Sequence, residues 1–181
     1  MFRRPLRRTM MRPLVANVPP ALQRANRLMA EGRYVEASEI FEQFARGAMM
    51  RNGPRAPWFF IQAGQANILA GRVPNGMESI LTGLKVFSER GELQQLYRVG
   101  SRVMNDLNSR GLTAEAGLIE IFIKQGVPAN FVPGAGLPVQ KPRVLPTSCT
   151  GCGGPIRSDE VDWADELTAE CPYCGSSLRT E

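Results

Sequence analysis

Hydrophobic residues recur at helical spacing from about residue 19 to residue 126. Within three segments of this region they fall three and four positions apart, so that they share one face of a helix. These positions are Ala37, Ile40, Phe41 and Phe44, then Met77, Ile80, Leu81, Leu84 and Phe87, then Leu118, Ile119 and Phe122. The first helix of each pair is expected to contribute core residues as well, namely Leu22, Met29, Phe60, Ala63, Leu96, Val103 and Leu107. The pattern predicts pairs of amphipathic helices.

Three glycines divide these pairs at a regular interval. Gly32, Gly71 and Gly111 lie 39 and 40 residues apart, and each separates two amphipathic segments. A fixed period of this length indicates an internal repeat of helix hairpins. A small residue follows each glycine after five positions, and it would let the two helices of a hairpin approach closely. These small residues are Ala37, Gly76 and Ala116.

The first repeat carries a recognisable motif. Gly32, Tyr34, Glu36, Ala37 and Phe41 match the pattern G-x-Y-x-E-A-x-x-x-F, and the chain here resembles the tetratricopeptide repeat. The second and third repeats depart from the motif, with Val73 and Gly76 in one and Glu120 in the other. We attribute the long period to an insertion at residues 46–57. The resemblance implies a mainly α fold, in which residues 18–126 form three stacked helix hairpins.

An amide side chain precedes each glycine by six residues, at Asn26, Gln65 and Asn105. The resemblance implies that this position lies on the concave face, where an amide can both donate to and accept from the backbone of an extended peptide. Arg98 and Arg102 would add positive charge there. A protein partner offering a peptide or an acidic surface is therefore expected. The simpler interpretation is a helical bundle without a binding role.

Four cysteines near the C-terminus form two pairs with metal-ligand spacing. Two residues separate Cys149 from Cys152, two separate Cys171 from Cys174, and 18 residues lie between the pairs. This spacing suits a tetrahedral thiolate site for one structural Zn²⁺. A glycine follows each pair, where a positive φ turns backbone N–H groups toward the sulfurs. Residues 147–181 resemble a zinc ribbon, of a type found at the ends of bacterial proteins, which implies a small β module.

Other chemistries of the cysteines fit the sequence less well. Four cysteines in 181 residues do not make a disulfide-dense composition, and a thioredoxin-like motif needs a single CxxC beside a βαβ pattern. Rubredoxin, which binds iron, resembles the cysteine pattern most closely among the rivals but has a longer, more aromatic gap. A catalytic zinc needs an open coordination position, and four cysteines would fill all four positions.

Charge is divided unevenly along the chain. The net charge is +5, yet residues 148–181 carry seven acidic and two basic residues, so that the ribbon region is −5 and the remainder +10. Neighbouring carboxylates occur at Asp159 with Glu160 and at Asp165 with Glu166. We expect these pairs to be solvated charge and not a catalytic dyad. Trp163 is expected to pack over the cysteine turns.

An arginine-rich arm and a proline-rich linker flank the helical region. Residues 1–17 form the arm, for which the sequence favours a disordered, solvated segment. An electrostatic tether to an acidic protein, an anionic membrane surface or nucleic acid and an organelle transit peptide stay open. Residues 127–146 hold five prolines and are predicted to be a semi-stiff linker. The arginines of the arm are Arg3, Arg4, Arg7, Arg8 and Arg12.

Composition narrows the function. The chain contains no histidine, which removes the commonest general base. No apolar run approaches the roughly 20 residues that cross a bilayer. These features favour a cytoplasmic, non-enzymatic scaffold that binds other proteins. The alternative is a nucleic-acid-associated regulatory factor acting through the ribbon or the arm, although an anionic ribbon is poorly suited to phosphates.

Overall fold

The computed structural model describes residues 18–133, 144–158, 160–164 and 167–180. These residues form mainly helix, with a small antiparallel sheet near the C-terminus. Each helix packs on the one before and the one after it, so that consecutive hairpins stack. The predicted fold class, mainly α with stacked hairpins and a small β module, is confirmed. The helices are α1 (Pro20–Ala30), α2 (Tyr34–Met50), α3 (Ala56–Leu69), α4 (Val73–Glu89), α5 (Leu93–Ser109) and α6 (Thr113–Gly126).

The repeated glycines end the first helix of each hairpin. Gly32, Gly71 and Gly111 have φ of 75°, 78° and 79°, a left-handed conformation that costs glycine little. The residue after each glycine donates its N–H to a carbonyl five positions back, which closes the end of the helix. Gly91 makes the same turn between α4 and α5, with φ of 71°. The turn at Gly91 joins two successive hairpins, and the 39-residue period did not indicate it.

The core lies between the stacked helices. Phe41, Ile80 and Leu84 are fully buried there, in agreement with the helical spacing. Leu118 was expected in the core but is 53% exposed, whereas Ile123 is buried. The reason is that α6 is the last described helix and packs mainly on α5, so no further helix covers its other side.

The extra length of the repeats is helical. Residues 46–50 continue α2, and Ala56 already begins α3, so only residues 51–55 form a loop. The stretch expected as an insertion, residues 46–57, thus consists of the end of α2, a short loop and the start of α3. Helices α2 and α4 each run for 17 residues, and this length accounts for most of the long period.

Two glycines bring α3 and α4 into close contact. A Cβ at Gly76 would lie 2.8 Å from the carbonyl oxygen of Gly64, and a Cβ at Gly64 would lie 2.7 Å from the carbonyl oxygen of Gly76. These separations leave no room for a methyl group. The small residue expected at Gly76 thus has its packing role, and Gly64 is its counterpart on the facing helix.

The C-terminal module is a three-stranded antiparallel sheet that packs on the helices. Its strands are β1 (Asp162–Trp163), β2 (Thr168–Glu170) and β3 (Ser177–Arg179), in the order β1-β2-β3. Asp162 pairs with Glu170, and Ala169 pairs with Leu178. Ala169, Leu178, Ile156 and Val161 supply its small core. We call residues 147–180 the ribbon.

We predict that Gly76→Ala destabilises the helical region. The added methyl would meet the backbone of Gly64, and overpacking of this kind costs typically about 1–3 kcal/mol. Urea unfolding followed by circular dichroism measures the change. Gly117→Ala is the matched control, because a Cβ there meets nothing within 4 Å and alanine favours a helix by up to about 1 kcal/mol. Equal unfolding midpoints for Gly76→Ala and the wild type would contradict the close contact.

Candidate metal centre and helical groove

Two turns of the same construction hold the cysteines. In the first turn the N–H of Cys149 donates to the carbonyl of Gly154 at 2.8 Å, and the N–H of Gly153 donates to the carbonyl of Cys149 at 2.8 Å. The second turn repeats both hydrogen bonds, from the N–H of Cys171 at 2.9 Å and from that of Gly175 at 2.8 Å. The two glycines have φ of 77° and 75°, as the sequence predicted. We call these turns the first and second knuckles.

The knuckles bring all four sulfurs to one point. The Sγ atoms lie within 4.8 Å of one another, with Cys149 to Cys174 at 3.7 Å and Cys152 to Cys171 at 3.9 Å. A tetrahedral site with metal–sulfur bonds of about 2.3 Å places its sulfurs about 3.8 Å apart. The cluster therefore has the dimensions to hold one metal ion. Backbone N–H groups also approach two of the sulfurs, Gly151 to Cys149 at 3.3 Å and Gly154 to Cys152 at 3.4 Å.

Hydrogen bonds among the thiols move their pKa values apart. The pKa of Cys149 is lowered to about 6, chiefly by the hydrogen bond with Cys152, and the pKa of Cys174 is also lowered, first by Cys149. The pKa values of Cys152 and Cys171 are raised, in both cases chiefly by the hydrogen bond with Cys149. Sulfurs this close cannot all carry charge without a cation between them. A bound metal ion would favour the thiolate at all four positions.

The first knuckle rests on α1. Gln23 Nε2 donates to the carbonyl of Gly151 at 2.8 Å, and Asn26 Nδ2 donates to the carbonyl of Cys152 at 2.9 Å. Asn26 was expected to bind the backbone of a peptide. In the structure it binds the backbone of the chain's own ribbon, at one of the four clustered cysteines.

The second knuckle rests on α3 through an aromatic side chain. Tyr173 is buried, and its ring meets that of Trp58 edge to face with centroids 6.1 Å apart. Gln62 is only 4% exposed, and hydrogen bonding from its side chain acts to lower the pKa of Tyr173. Burial raises the pKa of Tyr173. Burial is therefore the stronger of the two effects on this side chain.

A buried ion pair joins the ribbon to α5. Glu160 is 1% exposed and pairs with Arg102, whose side chain is 17% exposed. The expectation that Glu160 is solvated charge is wrong, because the ribbon carries this carboxylate into the helical face opposite a guanidinium. Such a pair is costly to break from one side, since the remaining charge stays buried. The other acids of the two neighbouring pairs, Asp159, Asp165 and Glu166, lie outside the described residues.

Three of the ribbon contacts come from one repeat position. Gln23, Gln62 and Arg102 each stand nine residues before a repeat glycine, and each holds a different part of the ribbon. This position lies one helical turn before the amides singled out from the sequence. The signal in the sequence is the repeat itself, because a polar residue stands at this position in all three repeats. We call the face of α1, α3 and α5 that carries Gln23, Asn26, Trp58, Gln62 and Arg102 the groove.

Two of the other side chains predicted for the concave face lie beside the ribbon. Gln65 and Asn105 line an open cavity of about 420 Å³, together with Arg102 and with Arg157 of the ribbon. Arg98 lies on α5 and is half-buried. A role for Gln65, Asn105 and Arg98 in binding a peptide stays a prediction. The five arginines of the arm lie outside the described residues.

Acidic side chains gather at the opposite edge of the ribbon. Arg55 of α3 approaches Glu170 of β2 at 3.9 Å, while Glu92 and Asp162 line the adjoining cleft. Burial raises the pKa of Glu92, and Asp162 adds to this shift while Arg90 opposes it. The contact between ribbon and helices is therefore polar along much of its border.

Comparison with protein-family models, with curated proteins and with solved structures finds no match to the chain. The resemblances to tetratricopeptide repeats and zinc ribbons accordingly rest on the motifs and geometry of this chain alone. Among the described residues, none of the helices has both the length and the hydropathy needed to cross a bilayer.

We predict that Arg102→Met lowers the free energy of unfolding by roughly 3 kcal/mol, because it leaves the Glu160 carboxylate buried and uncompensated. Adding Glu160→Gln should recover part of this loss, since the stranded charge is then removed. Urea denaturation of the two single variants, the double variant and the wild type measures the coupling. If the effects of the two substitutions simply add, the ion pair has no energetic role.

Proposed function

We propose that this protein is a non-enzymatic adaptor that binds other proteins and carries one structural Zn²⁺ on Cys149, Cys152, Cys171 and Cys174. The observation that carries the adaptor role is the groove, where amides and an arginine recognise polypeptide carbonyls and a carboxylate. The polypeptide that they hold is the chain's own ribbon. The same chemistry suits a partner that offers a peptide or an acidic surface.

The zinc assignment is supported by the donor set. Four cysteine sulfurs at tetrahedral spacing, three of them buried, suit a closed structural site. Zinc would cross-link the two knuckles and so hold the ribbon in shape. The ribbon has only a few buried apolar side chains of its own, and modules of this size draw much of their folding free energy from the metal.

The open cavity beside the ribbon is the place that we assign to an outside partner. Gln65 and Asn105 line it, and neither is among the side chains whose hydrogen bonds to the ribbon are described above. Arg157 adds positive charge from the ribbon side. The arm, with its five arginines, is proposed as a second, electrostatic point of contact with an acidic partner.

The alternative, a nucleic-acid-associated factor, finds less support in the ribbon. Asp162 and Glu170 are exposed on neighbouring strands, where they would repel phosphates. This alternative has two routes, the ribbon and the arm. Binding of nucleic acid through the positively charged arm agrees with the distribution of charge.

Elemental analysis of the purified protein should find one zinc per chain. Cys152→Ser should abolish stoichiometric zinc, since three thiolates cannot complete the site, and should unfold the ribbon while most helical circular dichroism remains. Ser177→Ala, on an exposed position of β3, is the control and should keep its zinc. A red protein that contains iron would overturn the zinc assignment.

Partner capture tests the adaptor role. Full-length protein immobilised as bait should recover fewer partners when Gln65→Ala and Asn105→Ala are combined, because each lost hydrogen bond weakens binding by about 0.5–1.5 kcal/mol. Helical content and zinc content should stay unchanged. Asn108→Ala is the control, since Asn108 is another exposed amide of α5 and does not line the cavity. Equal recovery with the double variant and the wild type would remove the cavity as the binding surface.

A further inference from the structure

We propose that the groove is a binding site for acidic polypeptide segments that the metal-loaded ribbon occupies within the same chain, so that loss of the metal opens the site. This inference rests on the proposed zinc site and extends the adaptor role. It specifies the kind of ligand that the groove binds, and it states that the groove becomes accessible when the metal is lost.

The groups that the groove recognises are not special to a ribbon. Gln23 and Asn26 donate hydrogen bonds to two successive backbone carbonyls, those of Gly151 and Cys152. Every polypeptide has such pairs of carbonyls. Arg102 forms an ion pair with the carboxylate of Glu160. A segment with an acidic side chain and two free carbonyls can therefore satisfy the same three side chains.

The metal controls whether the ribbon can present these groups. The carbonyls of Gly151 and Cys152 belong to the first knuckle, and Cys152 is itself a proposed ligand. Tyr173, which packs on Trp58, stands between the two cysteines of the second knuckle. Without a cation the four thiols lose the link that holds both knuckles in place. The contacts that Gly151, Cys152 and Tyr173 make with the helices would then be lost together, because all three residues belong to one small module.

The helices can remain folded when the ribbon leaves. Their core residues, such as Phe41, Ile80 and Leu84, are buried, and the helices make their most extensive contacts with the neighbouring helices. The groove side chains that become exposed are mostly polar, so water can satisfy them at modest cost.

Trp58 gives a direct readout of the groove. The chain has two tryptophans, so full-length Trp163→Phe leaves Trp58 as the only one. Removal of zinc with a strong chelator should shift the emission of Trp58 to longer wavelength while helical circular dichroism persists, and added zinc should reverse the shift. Unchanged emission after proven loss of zinc would overturn the proposal. So would a loss of helicity in step with the metal, because the ribbon would then be an inseparable part of the core.

Two full-length variants test recognition between chains. Cys152→Ser keeps the groove and loses the folded ribbon, whereas Arg102→Glu keeps the ribbon and places two carboxylates together in the groove. Mixed in the presence of zinc, they should form a one-to-one complex by light scattering, with the ribbon of the second seated in the groove of the first. The wild type mixed with Cys152→Ser should form far less complex, because its ribbon is already engaged.

Control variants keep the result decisive. Lys85→Glu is the charge control for Arg102→Glu, since Lys85 lies exposed on α4 outside the groove, and it should form as little complex with Cys152→Ser as the wild type does. If Arg102→Glu fails to fold, the pair Gln23→Ala and Asn26→Ala serves as the second variant. Absence of complex from both pairings would overturn the proposal while leaving zinc stoichiometry, and hence the proposed metal site, intact. Absence of zinc from the wild type would instead overturn the proposed function itself.

Discussion

The convergence of four cysteine sulfurs on one point is the constraint on which the rest of the structure depends. It requires two knuckles with the same backbone hydrogen bonds, and each knuckle needs a glycine at positive φ. Once the knuckles face each other, the first presents the carbonyls of Gly151 and Cys152 to the helices, and the second presents the ring of Tyr173. These are the groups that α1 and α3 receive. A metal-ligand pattern thus determines what the ribbon shows to the helices.

The buried ion pair gives this contact its specificity. Amide-to-carbonyl hydrogen bonds can form with any stretch of backbone, and each contributes only about 0.5–1.5 kcal/mol. Placing Glu160 opposite Arg102 adds a requirement that a neutral segment cannot meet, because an unpaired guanidinium would remain in a largely covered site. The stability that the pair adds is smaller than the penalty for a wrong partner. Charge matching therefore selects what occupies the groove.

The repeat explains why three helices can hold one small module. Equivalent positions in stacked hairpins come to lie side by side on the concave face. The position nine residues before each glycine is Gln23 in α1, Gln62 in α3 and Arg102 in α5, and these three side chains line up across the groove. Through this position, each repeat contacts a different part of the ribbon. Within the second hairpin, the close approach of Gly64 to Gly76 keeps α3 and α4 in contact.

The sequence by itself determined the local features of this protein. Helical spacing predicted the hairpins, the repeated glycines predicted their turns, and the cysteine spacing predicted the knuckles, because each depends on residues that are near one another in the chain. Only the tertiary structure decided what the groove holds. Glu160 looked like solvated charge beside Asp159, and its burial depends on Arg102, which lies 58 residues earlier. The amide of Asn26 was expected to await a partner's backbone, yet it binds Cys152, 126 residues later. No periodicity encodes such a meeting, since it arises from the docking of two separately patterned modules.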